Sequence, residues 1–258
     1  LIGFSIIFPL FPSMLEYYLP KEGADSIFGH LLSIIESLSR KSGADTKFLT
    51  TVLFGGIIGS IYSLLQFIFS PILGHLSDQF GRRPILIFTI AGTTLSYLLW
   101  VFASSFNLLV LARVFGGIMG GNLAVATAAV ADVTSEKERS KGMALVGVAF
   151  GLGFIIGPVI GGLSSLINLT LIKPSWEGLG INPFSIPALI AFTLSLINLF
   201  WVITKLSETF SPPPKVKENT AKRAAGRLRT LFSIKNRDVR LVMIIYFIFI
   251  MAFSGLEF

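Results

Sequence analysis

The 258 residues are 53% hydrophobic and only 14% charged, against about 25% charged in an ordinary soluble domain. One water-soluble core cannot hide so much apolar surface, so a soluble enzyme is excluded. The 21 Lys and Arg outnumber the 14 Asp and Glu for a net +7, and there is no cysteine, which removes disulfide frameworks, thiolate metal sites and cysteine nucleophiles.

About 20 mainly apolar residues cross the roughly 30 Å hydrocarbon layer as a helix. The apolar runs predict spans at Leu1 to about Leu19, Thr50–Leu73, Pro84–Ala103, Phe106–Ala131, Gly142–Leu166, Phe184–Thr204 and Leu241–Phe258. The first run is too long and too proline-broken for a signal peptide. Leu1 already stands inside one apolar run and Phe258 inside another, so the expectation is a fragment with both end helices cut. Most Lys and Arg fall in 74–83, 132–141 and 205–240. By the positive-inside rule that side is cytosolic, and the loop 20–49 faces the extracellular or luminal side. The stretch 205–240 reads as a basic linker between two halves. Ser211-Pro212-Pro213-Pro214 stops any helix there. Leu228, Leu231 and Phe232 at helical spacing among basic residues suggest a short amphipathic helix on the inner leaflet, or a solvated connector.

Between the second and third spans lies Gly74-His75-Leu76-Ser77-Asp78-Gln79-Phe80-Gly81-Arg82-Arg83-Pro84-Ile85-Leu86, read as a tight turn. Gly74 is expected to let the helix end approach a neighbour, and Gly81 to supply a positive φ. Arg82 and Arg83 anchor to the interface, and Pro84 opens the next helix, where its missing N–H costs nothing. Asp78 needs a partner, either Arg82 at i+4 or the N-terminus of another helix. In the fourth span Arg113 falls roughly 10 Å below the outer surface, counting from Phe106. Charge within a span is costly, so it is expected to face a cavity and carry a function, with snorkelling as the other reading. In the fifth span Gly153, Gly157 and Gly161 repeat every four residues beside Pro158 and Gly162, a pattern for close packing with a proline kink. Tyr62 and Gln66 share one face of the second span and are candidates for a cavity lining, or for helix packing. Asn122 in the fourth span is similar. Glu257, roughly 25 Å along the seventh span from Arg240, is an intramembrane carboxylate able to bind a cation or titrate.

The segment 74–86 resembles the G-x-L-x-D-x-x-G-R-[RK]-x-x-[LI] signature of the major facilitator superfamily, with Gln79 where that family often has Arg. Leu111-x-Arg113-x3-Gly117 is similar to the fourth-span signature of its proton-coupled members. Gly153-x3-Gly157-Pro158-x2-Gly161-Gly162 is similar to the fifth-span signature of its antiporters. The start of the seventh span and the Gly3-Phe4 pair resemble the tetracycline-transporter-like branch. The resemblance implies an all-α membrane protein, a helical bundle of which about six and a half of twelve transmembrane helices are present. Residues 1–204 would be the N-terminal six-helix half, 205–240 the cytosolic linker and 241–258 the start of the C-terminal half, with the rest of that half as the missing partner. It also implies a gating network of Asp78 and Arg82 with an acid at the end of the fourth span, where Asp132 stands, and a role for Arg113 in proton transfer or anion binding.

The function expected is secondary transport, proton-coupled antiport or efflux of a small organic solute, drug or organic anion, by alternating access. The alternatives are a facilitator or symporter of the same family, or a non-transporting receptor or scaffold. The expected partners are the solute, protons and the lipid bilayer. No Walker loop, serine elbow or metal pair is present, so no cofactor is expected. The basic linker lacks interleaved aromatics, so nucleic acid is not an expected partner.

Overall fold

The computed structural model describes residues 1–23, 26–42, 46–210, 241 and 245. The chain divides into two units, Leu1–Pro212 and Pro213–Phe258, and the architecture below is that of the first. The expected linker helix at Leu228–Phe232 and Glu257 lie outside the described residues.

The first apolar run is helical but interrupted. Helix α1 (Ile2–Ser5) leads into a 3-10 turn at Phe8–Leu10 and then α2 (Phe11–Tyr18). Pro9 and Pro12 each sit in the first turn of their element, where a missing N–H is tolerated, but they cannot continue the preceding helix.

The loop expected at 20–49 holds α3 (Ile27–Ser42). Phe28 and Ile35 are buried, and Leu31 and Leu32 pack partly against the same cluster. That i, i+3, i+4, i+7 spacing is a helix with one apolar stripe. Phe28 meets the ring of Phe106 at 4.9 Å and that of Phe54 at 6.0 Å, which ties the excursion onto the bundle.

The remaining elements are α4 (Thr46–Phe80), α5 (Arg82–Val101), α6 (Phe106–Met119), α7 (Asn122–Val133), α8 (Arg139–Ser165), the short α9 (Leu169–Ile172), a 3-10 turn at Pro174–Leu179, and α10 (Ser185–Lys205). Among the described residues five helices are long and apolar enough to cross a membrane: Phe48–Phe80, Arg82–Val101, Phe106–Val133, Arg139–Ile172 and Ser185–Lys205. Their outer surfaces are greasy. Phe67, Leu145, Leu163 and Phe200 are all exposed, which suits hydrocarbon and not water.

Helix α5 is the central element, packed between α6 and α10. A cluster of large buried side chains, including Trp100, Tyr18, Phe54, Phe106 and Leu109, fills the end of the bundle where α5 turns into α6. Helix α6 lies close on α4, because a Cβ at Gly117 would come within 2.7 Å of the Tyr62 carbonyl oxygen. The four-residue glycine repeat in α8 works the same way against α1. A Cβ at Gly153 would stand 2.7 Å from that of Leu1, one at Gly157 would run into the Ser5 hydroxyl, and one at Gly161 into the Ile6 carbonyl. The Ser5 hydroxyl donates to the Gly153 carbonyl at 2.8 Å, so the two backbones are bonded as well as touching.

Three expectations are corrected. The segment 74–80 is not a turn: α4 continues to Phe80, and Gly81 alone breaks the helix before α5 begins at Arg82. Pro84 therefore sits inside the first turn of α5 rather than opening it. Gly74 is not a point of close approach, since a Cβ there would meet nothing within 4 Å, and the same is true of Gly162.

Candidate functional site: an arginine-centred network and a neutral cavity

Gly81 has φ 96°, a conformation that glycine adopts without penalty. This sharp break brings Arg82 back over the last turn of α4. Its Nη1 donates to Asp78 Oδ1 at 2.7 Å and to the Ser77 hydroxyl at 2.6 Å, while its Nε donates to Asp132 Oδ2 at 2.9 Å. Asp132 comes from the last turn of α7, so one guanidinium ties together α4, α5 and α7. The Arg82 side chain is 8% exposed, whereas Asp78 is 42% and Asp132 23% exposed. A planar guanidinium offers five donors in a fixed fork, which lysine cannot imitate.

Glu208 belongs to the same assembly and was not singled out from the sequence. It lies just past the end of α10, within the stretch assigned to the linker. Its carboxylate accepts from the backbone nitrogens of Arg82 at 2.8 Å and Arg83 at 3.2 Å. Those N–H groups have no partner within their own helix, and the carboxylate also meets the positive end of the helix dipole. Oε1 accepts further from the backbone nitrogens of Thr209 and Phe210. The Phe210 ring lies 4.8 Å from the Arg82 guanidinium carbon, and Arg83 Nη2 donates to the Ile203 carbonyl at 2.7 Å. A side chain at Gly81 would collide with the Glu208 carboxylate.

In the middle of the bundle a cavity of about 620 Å³ is lined by α1, α4, α5, α7, α8 and α10. Its wall has an aromatic part, with Phe4, Tyr62, Tyr97, Phe150 and Phe154, and a neutral polar part that includes Gln66, Thr93, Asn122 and Ser195. Among the described residues no side chain that lines it is charged. The Phe4 and Tyr62 rings lie 4.7 Å apart. Gln66 Nε2 donates to the Gly120 carbonyl at 2.9 Å, at the point where the fourth span is interrupted between α6 and α7. The Asn122 amide reaches the Thr93 hydroxyl at 3.5 Å, and Thr94 and Ser195 join α5 to α10 at 2.8 Å. Tyr62, Gln66 and Asn122 thus line one cavity.

Arg113 does not line that cavity. It is 4% exposed, and its Nε has no hydrogen-bond partner among the described residues. Its guanidinium carbon lies 4.7 Å from the centre of the Trp100 ring, an attraction worth about 2 kcal/mol where water is excluded. The phenols of Tyr97, Tyr62 and Tyr18 are within electrostatic range. Arg113 is therefore a buried cation one layer behind the cavity wall, and it does not snorkel to the surface. Among the described residues no group of three or more His, Cys, Asp or Glu could hold a metal ion.

The family model described as Major Facilitator Superfamily matches residues 1–258. Major facilitator superfamily domain-containing protein 10 of Bos taurus is 34% identical over 276 residues, covering all of this chain and 56% of that protein. Its Homo sapiens counterpart is 32% identical over 277 residues with the same coverage. The class B tetracycline resistance protein of Escherichia coli is 34% identical over 200 residues, 78% of this chain and 40% of that protein. The crystal structure of the human organic anion transporter MFSD10 (TETRAN) superposes with a TM-score of 0.73 at 31% identity, over 87% of this chain and 49% of that one. The chain spans about half the length of the curated relatives it matches. The family model spans the whole chain, and this chain belongs to the Major Facilitator Superfamily.

Proposed function

We propose that this chain is the N-terminal part of a secondary transporter that exchanges a small organic solute for protons by alternating access. Residues 1–204 act as the six-helix half, 205–240 as a cytosolic linker and 241–258 as the start of the next helix. The observation that carries the reading is the position of Arg82. It fastens three helices at one end of the bundle with two carboxylates that remain partly open to water, so the fastening can be undone without extracting a fully buried ion pair. Asp78, Arg82 and Asp132, with Gly81 and Arg83 setting the corner, form the latch of one end state. The cavity holds the solute, and Arg113 supplies a positive potential behind its wall. The relatives named for tetracycline resistance and for organic anion transport support an organic solute. The close seam of Gly153, Gly157 and Gly161 with Pro158 supports exchange. An intact latch beside an open cavity argues for a transporter rather than a receptor or scaffold.

The test is transport in sealed vesicles. The full-length protein, reconstituted with an imposed pH gradient, should accumulate a fluorescent organic anion such as fluorescein, and a protonophore should abolish the accumulation. Uptake indifferent to the gradient would remove proton coupling and leave a facilitator.

A further inference from the structure

We infer that the Tyr62 and Tyr97 hydroxyls, and not Arg113 itself, are the groups that touch the solute, and that together they form a subsite for the carboxylate of an aromatic acid. The inference rests on the reading of the central cavity as the solute site.

Both tyrosines are more than nine-tenths buried, at 7% and 6% exposed, and both line the cavity. Neither hydroxyl has a hydrogen-bond partner among the described residues. A Cβ at Gly120 would stand 2.7 Å from the Tyr62 hydroxyl, and one at Gly3 2.7 Å from that of Tyr97. Both glycines line the same cavity, so both oxygens sit at its wall. Two polar atoms at the wall of a largely apolar chamber, with no bond inside the protein, are open to water or to a ligand.

A phenol can donate or accept, and the charge behind it decides which. Arg113 stays protonated in any protein environment. Its guanidinium sits on the neutral face of Trp100, and among the described residues no carboxylate pairs with it. In a low-dielectric interior its field reaches well beyond contact distance. It draws the phenol lone pairs inward and turns the O–H bonds toward the cavity. The wall then presents two donors under a positive potential, which suits a carboxylate oxygen. Phe4, Phe150 and Phe154 around the same chamber suit a flat ring carrying that carboxylate.

The probes are 2-naphthoate and the protonated amine of the same ring, 2-naphthylmethylammonium. Binding to the full-length protein is measured by calorimetry. Naphthoate should bind at least ten times more tightly than the amine. Tyr62→Phe and Tyr97→Phe should each weaken naphthoate about ten-fold, the size expected for a hydrogen bond to a charged group. Neither substitution removes a bond within the protein, so thermal unfolding should not move, and a purely structural role would leave naphthoate affinity unchanged. Arg113→Gln should erase the preference for the acid. Naphthoate affinity unaltered in both phenylalanine variants, or equal binding of acid and amine by the unmodified protein, overturns the inference. pH-driven uptake together with unaltered naphthoate affinity in those variants would overturn this inference alone. Weakened naphthoate binding in a protein with no pH-driven uptake would overturn only the antiport reading.

Discussion

The carboxylate of Glu208 accepts the backbone N–H of Arg82 at 2.8 Å. It therefore closes the first turn of α5 from a point just beyond the end of α10. The contact joins the end of α10 to the corner that holds the ion pairs. Replacing a helix cap by alanine costs about 0.5–2 kcal/mol. Glu208→Ala should lower the thermal unfolding midpoint of the purified protein, while Glu208→Gln, which keeps an acceptor oxygen, should lower it less. Equal midpoints for the two variants would show that the charge, and not the bond, matters.

Arg82→Lys should behave much like Arg82→Ala in transport. One ammonium cannot donate to Asp78, Ser77 and Asp132 in the fixed directions that the guanidinium uses. The expected loss is ten-fold or more in initial uptake rate. Asp132→Asn should cost less than Arg82→Ala, because the neutral amide still offers an acceptor to Nε. The order of the three rates is the measurement.

The glycines of α8 should divide into two classes. Gly157→Val drives a branched side chain into Ser5 and should destabilise by about 1–3 kcal/mol, as overpacking does. Gly162→Ala meets open space and should be neutral, or slightly stabilising through helix propensity. Gly74→Ala should be equally harmless to folding. Detergent-solubilised yield and thermal unfolding report both classes. A large loss at Gly162 would show that something outside the described residues packs there.

The chain has no cysteine, so single-cysteine labelling is clean. Lys41→Cys and Lys222→Cys should react with an impermeant maleimide from opposite faces of the membrane. In intact cells only the first should label; after permeabilisation both should. Labelling of both from one face would remove the topology on which the transport reading depends.

Much of this arrangement was legible in the chain. Apolar run length located the long helices, and the i, i+4 relation of Asp78 and Arg82 was visible as spacing. The stripe at Phe28, Leu31, Leu32 and Ile35 was equally visible, but a search for runs of bilayer length passes over a short amphipathic helix. Glu208 was hidden for a different reason. Its partners are backbone groups 125 and 126 positions away, and no local pattern marks such a cap. The sequence also could not divide the glycines of α8, because which of them face α1 depends on the rotation of the helix. For Arg113 burial could be argued from position, but its seat on Trp100 needed the antiparallel pairing of α5 with α6 across the turn at 102–105.

Where α8 meets α1, the glycine backbone lies directly against the Leu1 Cβ at Gly153, the Ser5 hydroxyl at Gly157 and the Ile6 carbonyl at Gly161. A seam this close leaves little room for the two helices to slide past each other. If the proposed alternating access holds, α1 and α8 would travel as a single strut, and the rocking would be taken up at the corner beside Gly81 and along the aromatic walls of the chamber.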